Sequence, residues 1–302
     1  MKASFSKELH SARGWILGFV ALVLLLGLSN KALAGERLVV IDGSLTEIVY
    51  ALGSGAEVVG RDLTSNYPPE VNRLPSVGYM RQLSAEGILS LNPSLVLVTD
   101  DAEPQKVLKQ LEDSGIRLVT IDNRFTLDGV KHKILQVGKA LGKEPEARSL
   151  AAQMLKQVEQ AQADLQSISP KHKARALFTM GIRNGNLMVA GRDTRADEML
   201  RLAGVDNIPA KMIKGYKPLT AESAILFNPQ YLITMQHGLK ASGGREAMLS
   251  GNAVKLTDAG KHRQLVVMDN SFLTFGPRIG EAVQSLVDTI YRANKSKVAM
   301  AP

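Results

Sequence analysis

Apolar and polar positions fall into short alternating blocks along this chain. Leu38–Asp42 (LVVID) is an apolar run of strand length, and Ser44 with Glu47 three residues on predicts a helix opened by a capping box. Val58–Arg61 reads as a second strand, closed by a polar turn through Asn66-Tyr67-Pro68-Pro69. Ser84 and Glu86 predict a helix that ends near Asn92-Pro93, and Leu95–Thr99 is the next strand. Glu103–Ser114 carries helical spacing and Arg117–Ile121 reads as a strand. Strands that alternate with helices predict parallel pairing in an α/β arrangement.

The middle of the chain has a different rhythm. Leu127–Gly142 is amphipathic, and Pro145 suits an early helical position. Glu146 to Ile168 contains no Gly or Pro, and Leu150, Met154, Val158 and Leu165 keep a helical stripe. At 1.5 Å per residue, these about 23 residues form a rod of about 35 Å, enough to bridge two lobes. The strand–helix alternation then restarts at Ala174–Met180 and runs to a closing helix over Glu281–Asn294, with Lys295–Pro302 a frayed tail.

The two halves also repeat each other. Leu83–Thr99 (LSAEGILSLNPSLVLVT) and Leu219–Met235 (LTAESAILFNPQYLITM) share Leu, Ala, Glu, Asn and Pro in register, with Ser and Thr matched in kind. Gly78-Tyr79 and Gly215-Tyr216 recur just upstream, and Thr46–Gly53 resembles Asp197–Gly204. A unit of roughly a hundred residues present twice is too large and too few for a solenoid. It implies two pseudo-equivalent lobes with a ligand-binding cleft between them. The expected fold is therefore α/β, with two Rossmann-like lobes built on parallel sheets and joined by a single long backbone helix. The expected divisions are a leader over 1–34, lobes over 35–125 and 169–302, and a connecting region over 126–168. One rigid rod between lobes favours small rocking over wide closure.

Composition narrows the class. Lys2, Lys7 and Arg13 precede the uncharged run Gly14–Leu28, and Ala32-Leu33-Ala34 supplies a small-x-small cleavage pattern, so a cleavable export signal is expected. The apolar run is about 15 residues, short of the about 20 a membrane helix needs. Losing Met1–Ala34 would take the formal charge from +8 to about +5, and the remaining charges are scattered. No basic block interleaves with aromatics, which argues against nucleic-acid binding. The chain has no cysteine, so disulfides, thiolate metal sites and a lipid-modified cysteine are excluded. These features suggest the periplasm of a two-membraned bacterium; the chain is expected to be a monomer.

Few motifs suggest catalysis. The Gly-rich stretches Gly181–Gly191 and Ala241–Arg245 match neither a P-loop nor a dinucleotide fingerprint. Gly43-Ser44 is not a nucleophile elbow. Asp100-Asp101 at a strand end has the ordinary reading of solvated loop acids. No two histidines have metal-ligand spacing. An exported two-lobed hydrolase is the alternative from another class, separable by turnover on simple esters and phosphates.

The runs DLTSNYPPEVNRLPSVGYMRQLSAEGILSLNPSLVL, MVAGRDTRADEMLRLAG, GYKPLTAES and FGPR resemble the periplasmic haem-binding proteins of bacterial haem-import ABC transporters. The resemblance covers essentially the whole chain after the leader. The LxxExIlxL element is shared with helical-backbone carriers of cobalamin and siderophores, the alternative ligands, whereas VGYMRQLSAEG with MVAGRDT points to the haem branch. The resemblance implies that Tyr79 is the axial ligand to ferric haem iron. Arg81 would tune it, because residues i and i+2 of an extended segment point the same way and a guanidinium favours a phenolate.

In the second lobe the resemblance transfers less. Some relatives carry a histidine on the loop before the MVAG element that supports two stacked haems, and here Met180–Gly185 has none, so one bound haem is expected. Met180 and Tyr216 are possible second-lobe contacts, and Arg183 and Lys217 possible propionate partners. Where relatives often have an arginine after the strand ending at Met235, this chain has Gln236-His237, which makes His237 a conditional ligand. Partners implied by the family are a permease dimer in the inner membrane and, upstream, an outer-membrane haem receptor system. Docking would use one glutamate from each lobe, drawn from Glu47 or Glu86 and from Glu198 or Glu222. Each also has an ordinary reading as a helix-start carboxylate.

Overall fold

The computed structural model describes residues 36–168 and 173–292; the leader Met1–Ala34 and the tail Lys295–Pro302 lie outside the described residues. The first lobe is a four-stranded parallel sheet in the order β2-β1-β3-β4, with β1 Leu38–Ile41, β2 Val58–Arg61, β3 Leu95–Thr99 and β4 Arg117–Ile121. Its helices are α1 Gly43–Ala51, α2 Ala85–Leu89, α3 Gln105–Asp113 and α4 Leu127–Ala140. Strand side chains alternate between faces, and the apolar runs supply both. Leu38, Val40, Leu95 and Leu97 pack towards α1 and α4, while Val39, Ile41, Val96 and Val98 pack with Ile88, Val107 and Leu111 of α2 and α3.

The first helix starts two residues earlier than the capping-box pattern predicts. Asp42 is its cap, accepting from the backbone N–H groups of Ser44 at 2.7 Å and Leu45 at 3.4 Å. Ser44 and Glu47 therefore both lie inside α1, and Glu47 is free to pair elsewhere.

The connecting helix α5 runs over Glu144–Ile168. Beyond it the second lobe carries β5 Arg175–Arg183, β6 Asn186–Ala190, β7 Asp206–Asn207, β8 Tyr216–Leu219, β9 Tyr231–Met235 and β10 Leu265–Met268. Its helices are α6 Arg195–Leu202, α7 Ala221–Phe227, α8 Gln236–Ala241, α9 Arg245–Ser250, α10 Asp258–Lys261 and α11 Ile279–Val287. The parallel trio β10-β9-β5 repeats β4-β3-β1 of the first lobe. In the place of β2 stands β6, antiparallel to β5, followed by the antiparallel partner β8 and with β7 against the start of β5. This sheet is thus mixed where parallel pairing was expected. Asn184 and Gly185 are the whole connection between β5 and β6, both at positive φ (51° and 77°). A two-residue turn of this kind joins only antiparallel strands.

The sequence repeat has a conformational origin. Ser84 and Thr220 cap α2 and α7 by accepting from Gly87 and Ser223 N–H. Asn92 and Asn228 follow these helices at left-handed φ values of 47° and 42°, each before a proline, and the chain then enters β3 or β9. Cap, left-handed stop and helix breaker are the positions the two halves share.

One core cluster runs from the first lobe through α5 into the second, from Val40 and Ile134 through Met154 and Val158 to Phe178 and Val283. The lobes seat on the rod through close helix approaches. A Cβ at Gly138 of α4 would stand 2.2 Å from the Ala147 methyl, and one at Gly280 of α11 would stand 2.4 Å from Gln157 Cβ.

Candidate functional site

The carboxyl ends of parallel strands are where open α/β sheets bind ligands, and the first lobe gathers its polar residues there. Tyr79 stands on a loop stitched to the segments that follow β2 and β3. Leu63 N–H donates to the Gly78 carbonyl at 2.8 Å, and Glu103 N–H to the Met80 carbonyl at 2.8 Å. The loop does not run extended as the i, i+2 reading assumed. It turns at Met80-Arg81, closed by Gln82 N–H on the Tyr79 carbonyl at 2.7 Å. Met80 is driven into the apolar layer with Val77 and Leu83, and this anchor leaves Tyr79 and Arg81 both outside, Tyr79 with 40% of its surface exposed.

Arg81 leans towards Asp101, just past the end of β3. Its Nη2 lies 3.7 Å from Asp101 Oδ2, and Arg195 Nη2, from the first residue of α6 in the other lobe, lies 4.0 Å from the same oxygen. Arg195 is itself strapped in place. Its guanidinium carbon lies 4.1 Å from the centroid of the Phe125 ring, and Nη1 donates to the Leu273 carbonyl at 3.2 Å. Asp101 accepts from Asn123 Nδ2 at 2.9 Å. Burial works to raise its pKa, yet the Asn123 amide and the charges of Arg195 and Arg81 outweigh it and hold the carboxyl below the usual range.

Behind Asn123 sits Lys133 of α4, fully buried. Its ammonium donates to Asn123 Oδ1 at 2.5 Å, to Ser44 Oγ at 2.8 Å and to the Phe275 carbonyl at 3.4 Å. Burial is the main cause that pulls this amine down to about 8. A polar chain therefore links the interior of α4 to the two arginines and touches both lobes.

The second-lobe candidates divide into separate groups. Met180 sits at a one-residue bulge of β5, where the register slips between Thr179 and Ile182, and a bulge re-aims the side chain it carries. Gln236 and His237 open α8 beside it, close enough that a Cβ at Gly238 would meet the Met180 carbonyl at 2.6 Å; all three are exposed. Tyr216 lies instead with Arg195, its hydroxyl against Thr194 and Ala196. Burial of that hydroxyl pushes the phenol above its ordinary value, although Arg195 and the hydrogen bonds from Ala196 and Thr194 pull the other way. Arg183 and Lys217 are exposed on β5 and β8, Arg183 beside the hairpin tip rather than on a strand-end loop.

The four repeated glutamates do not share one environment. Glu47 is buried, with 5% of its surface exposed, and both its oxygens accept from Arg278 at 2.8 and 3.1 Å. Glu47 thus spends both carboxylate oxygens on an internal partner, unlike the exposed members of the set. Glu198 is partly buried and bonded to Arg201 at 2.6 and 2.7 Å. Glu86 and Glu222 are exposed in the first turns of α2 and α7.

Three residues of this network are not apparent from sequence pattern: Asp101 has the ordinary pattern of a solvated loop acid, and no motif marks Arg195 or Lys133. A signal for Lys133 was available, since it falls on the α4 face of Val130, Ile134 and Val137. No group of three or more metal-ligating side chains occurs among the described residues.

Comparison with known proteins agrees with the architecture. The haem-binding periplasmic protein RhuT of Roseiflexus sp. RS-1 superposes with a TM-score of 0.82 at 37% identity, covering 86% of this chain and 99% of that one. An ABC transporter substrate-binding lipoprotein of Bacillus subtilis is 31% identical over 261 residues, 85% of this chain and 80% of the relative. A vitamin B12-binding protein of Pectobacterium atrosepticum is 28% identical over 202 residues, 66% of this chain and 71% of the relative. The family description "periplasmic binding protein" matches residues 38–272, which span both sheets and the connecting helix, and the chain belongs to that family of substrate-binding transport proteins.

Proposed function

We propose that this protein is a periplasmic carrier that takes ferric haem between its lobes and delivers it to an ABC permease of the inner membrane. The observation that carries the reading is Tyr79, exposed on a turn whose next residue is locked into the core, with Arg81 two positions on and a second arginine from the other lobe converging with Arg81 on Asp101. A free phenol has a pKa of about 10. Ferric iron, as a Lewis acid bound to the phenol oxygen, stabilises the phenolate at neutral pH. The two arginines suit the two propionates of haem, and the Phe125 ring under Arg195 holds its guanidinium in place. One haem per chain fits a single anchored tyrosine. The cargo leaves unchanged, so the reading contains no turnover.

Cobalamin is the second reading, favoured by the vitamin B12-binding relative. The solved haem-binding relative has the higher identity and is matched over nearly its full length, which supports haem. Separate titrations of the purified protein with ferric haem and with cyanocobalamin decide between them. Haem is expected to saturate at one equivalent, with a shifted Soret band and tyrosinate charge-transfer absorption. Tight cobalamin binding with an unperturbed haem spectrum would replace the haem reading.

A further inference from the structure

Arg81 and Arg195 come from different lobes and converge on one carboxylate oxygen, but neither hydrogen-bonds to it. Their separations of 3.7 and 4.0 Å exceed the about 2.7–2.9 Å of a charge-assisted hydrogen bond. Asp101 is fixed instead from behind, by Asn123 at 2.9 Å, and Asn123 is fixed by buried Lys133 at 2.5 Å. Arg195 is likewise fixed independently, by the Leu273 carbonyl and the Phe125 face. Each guanidinium thus keeps N–H groups not spent on Asp101, and each can offer them to a better-placed anion while the aspartate stays where it is.

From this we propose that Arg195 is the second-lobe carboxylate contact of the ligand, and that Asp101 is a built-in competitor for both arginines. A ligand with two carboxylates gives one to Arg81 and one to Arg195, and draws the lobes together through its own body. The Asp101 charge opposes this exchange, which weakens retention and eases release to an acceptor. Specificity for a dianionic ligand then rests on residues of both lobes, and the assignment rests on the haem reading above.

Asp101→Asn keeps an oxygen for Asn123 and removes the charge facing the arginines, so it is the direct probe. Arg195→Gln and the double variant complete a cycle. The ligands are ferric haem and its dimethyl ester, which lacks the carboxylate charges. Affinity is read from absorbance titration and release from transfer to apomyoglobin. Asp101→Asn is expected to tighten haem binding and slow release about fivefold, and Arg195→Gln to weaken haem about tenfold, the scale of one charge-assisted contact. The ester should respond to neither change, and the gain from Asp101→Asn should shrink when Arg195 is absent. Weaker haem binding by Asp101→Asn, or an ester that responds as haem does, overturns the assignment. Normal wild-type binding with unaltered variants overturns the assignment alone, whereas no haem binding by the wild type overturns the functional reading with it.

Discussion

Arg278 closes on Glu47 from the opposite lobe with two hydrogen bonds, and its other face covers the Tyr67 ring at 3.5 Å from the centroid. The pair joins α1 to the start of α11. Burial lifts the Glu47 carboxyl above its usual value in spite of the Arg278 bonds and charge, so the pair carries a desolvation cost that the geometry must offset. Removing one partner is therefore worse than neutralising the other. Arg278→Ala strands a buried carboxylate and is expected to cost about 3 kcal/mol, a fall of roughly 5–10 °C in Tm. Glu47→Gln should cost about 1 kcal/mol. Calorimetry on both variants checks the order, and equal losses would show that the pair is not enclosed.

Lys133 gives a pH signature. Burial first, with the charge of Arg195 adding to it, brings the amine from 10.5 to about 8, against the pull of Asp42, Asp101 and Asp100. Between these values the unfolded chain holds a proton that the folded chain has released, so stability rises with pH across that window. Measured against Lys133→Met, which cannot titrate, the wild type is expected to gain up to about 1.4 kcal/mol per pH unit between pH 8 and 10.5. Urea unfolding of both proteins at three pH values in that range measures the difference. A constant difference would mean that Lys133 titrates normally.

Docking is expected to use Glu86 and Glu222, the exposed members of the repeated set. Charge reversal at both should lower haem uptake by reconstituted transporter about tenfold or more while haem affinity in solution stays unchanged. The same reversal at Glu47 should lower Tm instead. Normal transport by Glu86→Arg/Glu222→Arg would leave both residues as helix-start carboxylates only.

Most of the frame was readable from local pattern. The strands of the first lobe, the long rod and the duplicated cap–helix–Asn-Pro–strand unit all rest on short-range signals, so periodicity and capping chemistry found them. The antiparallel β6 is hidden if Met180–Gly185 is read as a loop, although Asn184-Gly185 is a hairpin signal. The environment of Glu47 was not readable, since its partner Arg278 is 231 positions away. Asp101 was hidden for the same reason. Its meaning comes from Arg81 and Arg195, which the chain brings together only when the lobes fold onto α5.

The visible absorption spectrum of the ferric haem complex of Tyr79→Ala, taken beside those of Tyr67→Phe and Tyr216→Phe, tests the central assignment most directly. Loss of the tyrosinate-to-iron charge-transfer bands in Tyr79→Ala, with both phenylalanine variants unchanged, is the expected result. Bands that persist in Tyr79→Ala, or that vanish in Tyr216→Phe, would place the iron ligand elsewhere and contradict the site described above.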